Sequence, residues 1–155
     1  MIARSSMALA DSVSVPGTSA GVGRAAAAFD EFCRRQGVPA DARWRFQVAL
    51  DEILSNIVRH GFRDHAGMIA LTFSHTGQSI SVEVVDGAPA FDPRQAPAPD
   101  TTSPLEARRP GGLGIKFAQD LLDELSYERR GDENHLRLTW HVRPDAASRT
   151  TDGNQ

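Results

Sequence analysis

The hydrophobic period of this chain changes three times, and the order of those changes constrains the fold more than any other feature. Phe46, Leu50, Ile53, Leu54 and Ile57 recur at helical spacing. In GMIALTFSH (67–75) the period drops to two, with Ile69, Leu71 and Phe73 alternating against small or polar residues. SISVEVVD (79–86) repeats that alternation through Ile80, Val82 and Val84, and Thr76-Gly77-Gln78 between them reads as a hairpin turn. GGLGIKFAQDLLDEL (111–125) returns to helical spacing, with Ile115, Ala118, Leu121, Leu122 and Leu125 on its inner side. LSYERR and NHLRLTWHV then pair around Gly131-Asp132-Glu133, with Leu136, Leu138, Trp140 and Val142 inward. One-sided strands need a cover, and the helices supply it. The expected fold is an α/β (α+β) two-layer sandwich: a mixed, mostly antiparallel sheet with helices on one face.

The N-terminal part fits the same plan. SVSV (12–15) forms a short first strand, and Ser19 caps a helix that runs to Gln36 and stops at Gly37. Pro39-Ala40-Asp41 starts the next helix, which Gly61 ends. A chain of 155 residues holds one domain with a core. Residues 1–10 read as a flexible N-terminus, 11–143 as the domain and 144–155 as a loose tail. Between the hairpins, DPRQAPAPDTTSPLEARRP (92–110) carries five prolines and no periodicity. A loop longer than about 12–15 residues in a compact domain is a functional lid or is disordered.

Composition excludes several classes. A net charge of −3 without a basic stripe gives no reason to expect nucleic acid. No stretch approaches the ~18 apolar residues of a membrane span. The single cysteine, Cys33, forms no internal disulfide, so a reducing, cytoplasmic location is expected.

Three places can carry chemistry. Gly111-Gly112-Leu113-Gly114 stands where loop becomes helix. Either it lets a phosphate approach unsatisfied helix N–H groups, or it is a hinge for the lid. Lys116, the only lysine, is either a point charge for that phosphate or a solvated surface residue. Asp86 closes an apolar strand before Gly87-Ala88-Pro89, and accepts either a ligand amino group or the N–H groups of its own turn. Glu52 and Asn56 stack one helical turn apart beside the apolar stripe. They are a polar edge, or a general base beside a hard oxygen donor suited to Mg²⁺.

The order of these parts resembles the Bergerat ATP-binding fold of the GHKL proteins, such as gyrase, Hsp90, histidine kinases and MutL. Within it, the chain is most similar to the RsbW/SpoIIAB-type anti-sigma-factor serine kinases. LDEILSNIVRHGF resembles their N box, VVDGAPAFDP their first glycine box and GGLGIKFAQDLLDEL their second. The likeness covers roughly residues 10–143. It implies an ATP-dependent serine kinase whose substrate is a STAS-domain antagonist and whose other partner is a sigma factor. Self-association as a homodimer is common in that class and is a further expectation.

The resemblance also implies roles. Asn56 coordinates Mg²⁺ on the phosphates of ATP or ADP, and Asp86 accepts the adenine amino group, with Gly87, Ala88 and Pro89 against the base. Gly111, Gly112, Leu113, Gly114 and Lys116 hold phosphates, residues 92–110 close as the ATP lid, and Glu52 receives the serine proton. Two departures stand out: Ala88 replaces the usual glycine, and His135 stands at the place of a threonine that supports the adenine-binding aspartate. A positive φ at Ala88 would cost about 1–2 kcal/mol. Those departures leave open a binding switch without useful catalysis.

Overall fold

The structure, a computed structural model, describes residues 9–63, 66–92, 94 and 112–143. Of the expected lid only Asp92 and Arg94 are among them. Gly111 and the tail lie outside.

Strand β1 (Leu9–Pro16) leads into α1 (Ser19–Gln36) and α2 (Ala40–Asn56), followed by the hairpin β2 (Met68–His75) and β3 (Ser79–Asp86). Helix α3 (Gly112–Leu121) precedes a second hairpin, β4 (Glu124–Arg130) and β5 (Glu133–His141). The five strands lie in the order β1-β2-β3-β5-β4. Every pairing is antiparallel, so the expected mixed sheet is antiparallel throughout among the described residues. β5 inserts between β3 and β4, which sets Asp86 opposite Asn134.

Alternation decides which face the helices cover. Val15, Ile69, Leu71, Phe73, Ile80, Val82, Val84, Leu136, Leu138 and Trp140 are all buried. Against them pack Ala25, Phe29 and Phe32 of α1 and Phe46, Leu50, Ile53 and Leu54 of α2. Phe29 meets Phe46 and Phe73 with ring centroids 5.5 and 5.4 Å apart. Burying each such side chain stabilises the fold by roughly 1.5–3 kcal/mol, and each tilted ring pair adds about 0.5–1.5 kcal/mol.

Several boundaries differ from the sequence expectation, each for a local reason. β1 starts at Leu9, because its ladder to β2 extends from Leu9–His75 to Pro16–Met68. Thr18, not Ser19, caps α1: its hydroxyl accepts the Gly21 N–H at 3.1 Å. Gly37 stops α1 as expected, at φ 64°. α2 does not run unbroken to Gly61; after Asn56 it widens into a π-helical turn, Ile57–Phe62. α3 ends at Leu121, so Leu125 belongs to β4 and not to the helix.

Candidate functional site

Asp86 is the last residue of β3 and is only 5% exposed. Its Oδ1 accepts the Ala88 N–H at 2.9 Å, closing a short side-chain turn. The same oxygen accepts Asn134 Nδ2 at 3.0 Å. Among the described residues its other oxygen, Oδ2, accepts nothing. The two sequence readings of Asp86 are therefore compatible: one oxygen shapes the turn and the other has no partner among the described residues.

Asn134 is the hub of this corner. Its amide nitrogen also lies 3.1 Å from the carbonyl oxygens of Ala88 and Pro89. Its Oδ1 accepts Tyr127 Oη–H at 2.6 Å, Arg129 Nη1 at 3.2 Å and the Phe91 N–H at 3.4 Å. Arg129 Nη1 donates again to the Ala88 carbonyl at 2.8 Å. β4 and β5 thus hold the Gly87–Pro89 turn from one side. Just beyond it, hydrogen bonds from Arg94 keep the Asp92 carboxyl below the usual range.

Both expected departures are corrected here. His135 does not support Asp86: it lies on the opposite face of the sheet, with Nδ1 3.2 Å from Glu83 and Nε2 3.1 Å from Glu133. The supporting position is Asn134, one residue earlier, and one residue in a strand exchanges faces. Its parity was the available signal, since Asn134 shares the inward register of Leu136, Leu138 and Trp140. Ala88 is not strained: Arg63 is the one non-glycine residue with positive φ among those described. Its methyl is buried against Gly61, where a Cβ would come within 2.9 Å of it.

Glu52 and Asn56 sit on the last turns of α2. Glu52 Oε1 is buried and has no hydrogen-bond partner among the described residues. Asn56, 7% exposed, makes no side-chain hydrogen bond to a described residue. The π-helical turn begins directly after it, a widening common at functional sites. α3 runs antiparallel to α2, because Arg45 Nη1, near the start of α2, donates to the Leu121 carbonyl at the end of α3 (2.9 Å) while the helices pack along their length.

Gly112, Leu113 and Gly114 form the first turn of α3, whose N–H groups suit an anion. Lys116, one turn in, is exposed. Among the described residues no cluster of three or more His, Cys, Asp or Glu side chains is arranged for a metal ion. A cation here would rest on Asn56 and on oxygens of the ligand, the sparse protein ligation that suits Mg²⁺. A buried carboxylate oxygen and an amide, both without side-chain partners among the described residues, and a glycine-opened helix start are compatible with a phosphate-bearing ligand.

The sheet ends one strand in a buried carboxylate and is covered by helices, one of which opens on glycines. The chain belongs to the histidine kinase-like ATPase domain family, whose profile matches residues 15–140. It is similar to the serine/threonine-protein kinase BtrW of Bordetella bronchiseptica, 40% identical over 108 residues, which cover 68% of this chain and 76% of that protein. It is also similar to an anti-sigma F factor of Thermoanaerobacter sp. (31% identical, 64% of this chain, 70% of the relative). The serine-protein kinase RsbW of Bacillus thuringiensis is 27% identical over 59% of each chain. A crystal structure of the RsbU and RsbW domains of Rv1364c from Mycobacterium tuberculosis shares the fold: TM-score 0.62 and 17% identity, covering 88% of this chain and 33% of that one. No helix of the described residues is long and apolar enough to cross a membrane.

Proposed function

We propose that this chain is an ATP-dependent protein serine kinase and anti-sigma factor, with a STAS-domain antagonist as its serine substrate and a sigma factor as its alternative partner. The observation that carries the reading is Glu52 Oε1, a buried acceptor without a donor among the described residues, one helical turn from Asn56. Burying such an oxygen costs about 1–3 kcal/mol or more. A serine hydroxyl entering from a partner supplies the missing donor.

Glu52 takes the serine proton as the serine oxygen attacks the γ-phosphorus. The bond from that phosphorus to the bridging oxygen breaks, leaving ADP and a phosphoserine. Asn56 holds the metal side of the phosphates, and Mg²⁺, when bound, neutralises their charge. Gly112, Leu113 and Gly114 offer N–H groups to the phosphates, while Asp86 Oδ2 accepts the adenine amino group. The protein's work is positioning and charge compensation. The reading of a weakly catalytic switch gains no support from Ala88, which is unstrained, or from His135, whose side chain bonds Glu83 on the other face of the sheet from Asp86.

The test is transfer of labelled γ-phosphate from ATP, with Mg²⁺, to purified STAS-domain proteins of the same source. The wild-type chain should label one of them on serine, and Glu52→Ala should not, while binding ATP as before. Equal labelling by both proteins would remove Glu52 as the base.

A further inference from the structure

α2 is the middle helix of its layer. Asp30 of α1 meets it at Gln47 (3.2 Å) and Arg43 (3.7 Å), and α3 meets it at Arg45. Between those flanks a third strip faces outward. At 3.6 residues per turn, Asp41, Trp44, Val48, Asp51 and Ser55 fall within about 80° of one another. Two of them are large and apolar: Trp44 is 54% exposed and Val48 37%. Single exposed apolar residues are ordinary, but these two stack one turn apart.

The next residue in that row is Glu52. Trp44, Val48 and Glu52 follow one another at four-residue steps, about 6 Å apart along the axis, turning gradually toward α3. The exposed row therefore runs into the place where Glu52 Oε1 is buried. A protein that brings a serine hydroxyl to Glu52 covers roughly 800 Å² of this surface, a patch wider than the ~12 Å from Glu52 to Trp44. The row lies under that footprint. Charge narrows the partner's chemistry: Asp41 is already engaged by Arg45 at 3.2 Å, whereas Asp51 has no ion pair among the described residues.

We propose that Trp44 and Val48 form the docking ridge for the serine-bearing protein substrate, which offers an apolar recess to Trp44 and a basic side chain to Asp51. This rests on the kinase reading above and deepens it. Trp44 and Val48 are positioning residues: they touch the substrate protein away from the reacting atoms. An exposed tryptophan at the centre of a contact is the type of residue whose truncation costs most binding.

The experiment uses the full chain, with the STAS-domain protein that the wild type phosphorylates as the probe. Trp44→Ala, and Trp44→Ala combined with Val48→Ser, should raise the KM for that protein at least about tenfold. The kcat at saturation and the affinity for ATP should stay within about twofold. Asp51→Lys should raise the same KM, and a Lys or Arg reversed to Glu on the substrate should restore it. In a Trp140→Phe background Trp44 is the sole tryptophan, and its emission should move to shorter wavelength when the substrate protein is added. An unchanged KM with unchanged emission overturns the ridge and leaves the kinase reading standing. A Trp44→Ala variant that loses self-association but keeps its KM also overturns it, by assigning the row to a second copy. If the wild type labels no STAS-domain protein, the kinase reading falls and the ridge with it.

Discussion

Asn134 Nδ2 donates to Asp86 Oδ1 at 3.0 Å, across the β3–β5 ladder, and both residues are buried at 5% exposure. Together with the Ala88 N–H, that bond occupies Oδ1 and leaves Oδ2 without a partner among the described residues. Asn134→Ala leaves Asp86 with one bond fewer and strands the Tyr127 hydroxyl and the Pro89 carbonyl. We expect a loss of about 1–2 kcal/mol of stability by urea unfolding, since the stranded groups are only partly buried and such hydrogen bonds contribute about 0.5–1.5 kcal/mol each. Calorimetry should show ATP affinity reduced about tenfold or more. His135→Ala, on the other face, should leave ATP affinity within about twofold.

Asp86→Asn tests the neighbouring claim. Losing a hydrogen bond to a charged group costs about 1.5–3 kcal/mol, so ATP should bind roughly ten- to a hundred-fold more weakly at unchanged fold. Equal affinity would place adenine elsewhere.

Glu52 stands against stability. Its Oε1 is buried without a donor, so Glu52→Gln should raise the thermal midpoint by a few degrees while phosphoryl transfer falls about 10²- to 10⁴-fold. Scanning calorimetry beside a single-turnover assay reads both. A midpoint that falls would mean that the carboxylate is stabilised by something other than its ligand.

Gly61 and Ala88 form a matched pair, because a Cβ at residue 61 would sit 2.9 Å from the Ala88 methyl. Gly61→Ala should destabilise the chain by about 1–3 kcal/mol. Adding Ala88→Gly should recover part of that loss, a coupling of about 0.5–3 kcal/mol in a double-mutant cycle. Additive effects would show that the two segments do not meet.

Burial pushes the Cys33 thiol up to about 12, despite the opposing pull of Arg43. The folded chain keeps its proton where the unfolded chain loses it, above the ordinary thiol value of about 8.5. Stability from this group is therefore complete below that value and declines as pH rises toward 12. Cys33→Ser should flatten the decline in urea midpoints measured between about pH 8 and 10. At pH 8 a thiol reagent should label Cys33 only as fast as the chain unfolds.

What the sequence determined by itself was local. Period-two and period-3.6 runs identified the strands and helices, Gly37 marked the end of α1, and Glu52, Asn56, Asp86 and the Gly112–Gly114 turn stood out as candidates by residue chemistry. These signals lie within a few residues of the features they specify. Tertiary structure decided what depends on pairing across the chain. The place of β5 between β3 and β4 chose Asn134 over His135, because strand register assigns a side chain to one face or the other. The packing of α3 on α2 joined Arg45 to the Leu121 carbonyl, and the contact with Gly61 gave Ala88 its use. Such relations join residues 27 to 76 positions apart, and no local propensity carries information over that distance.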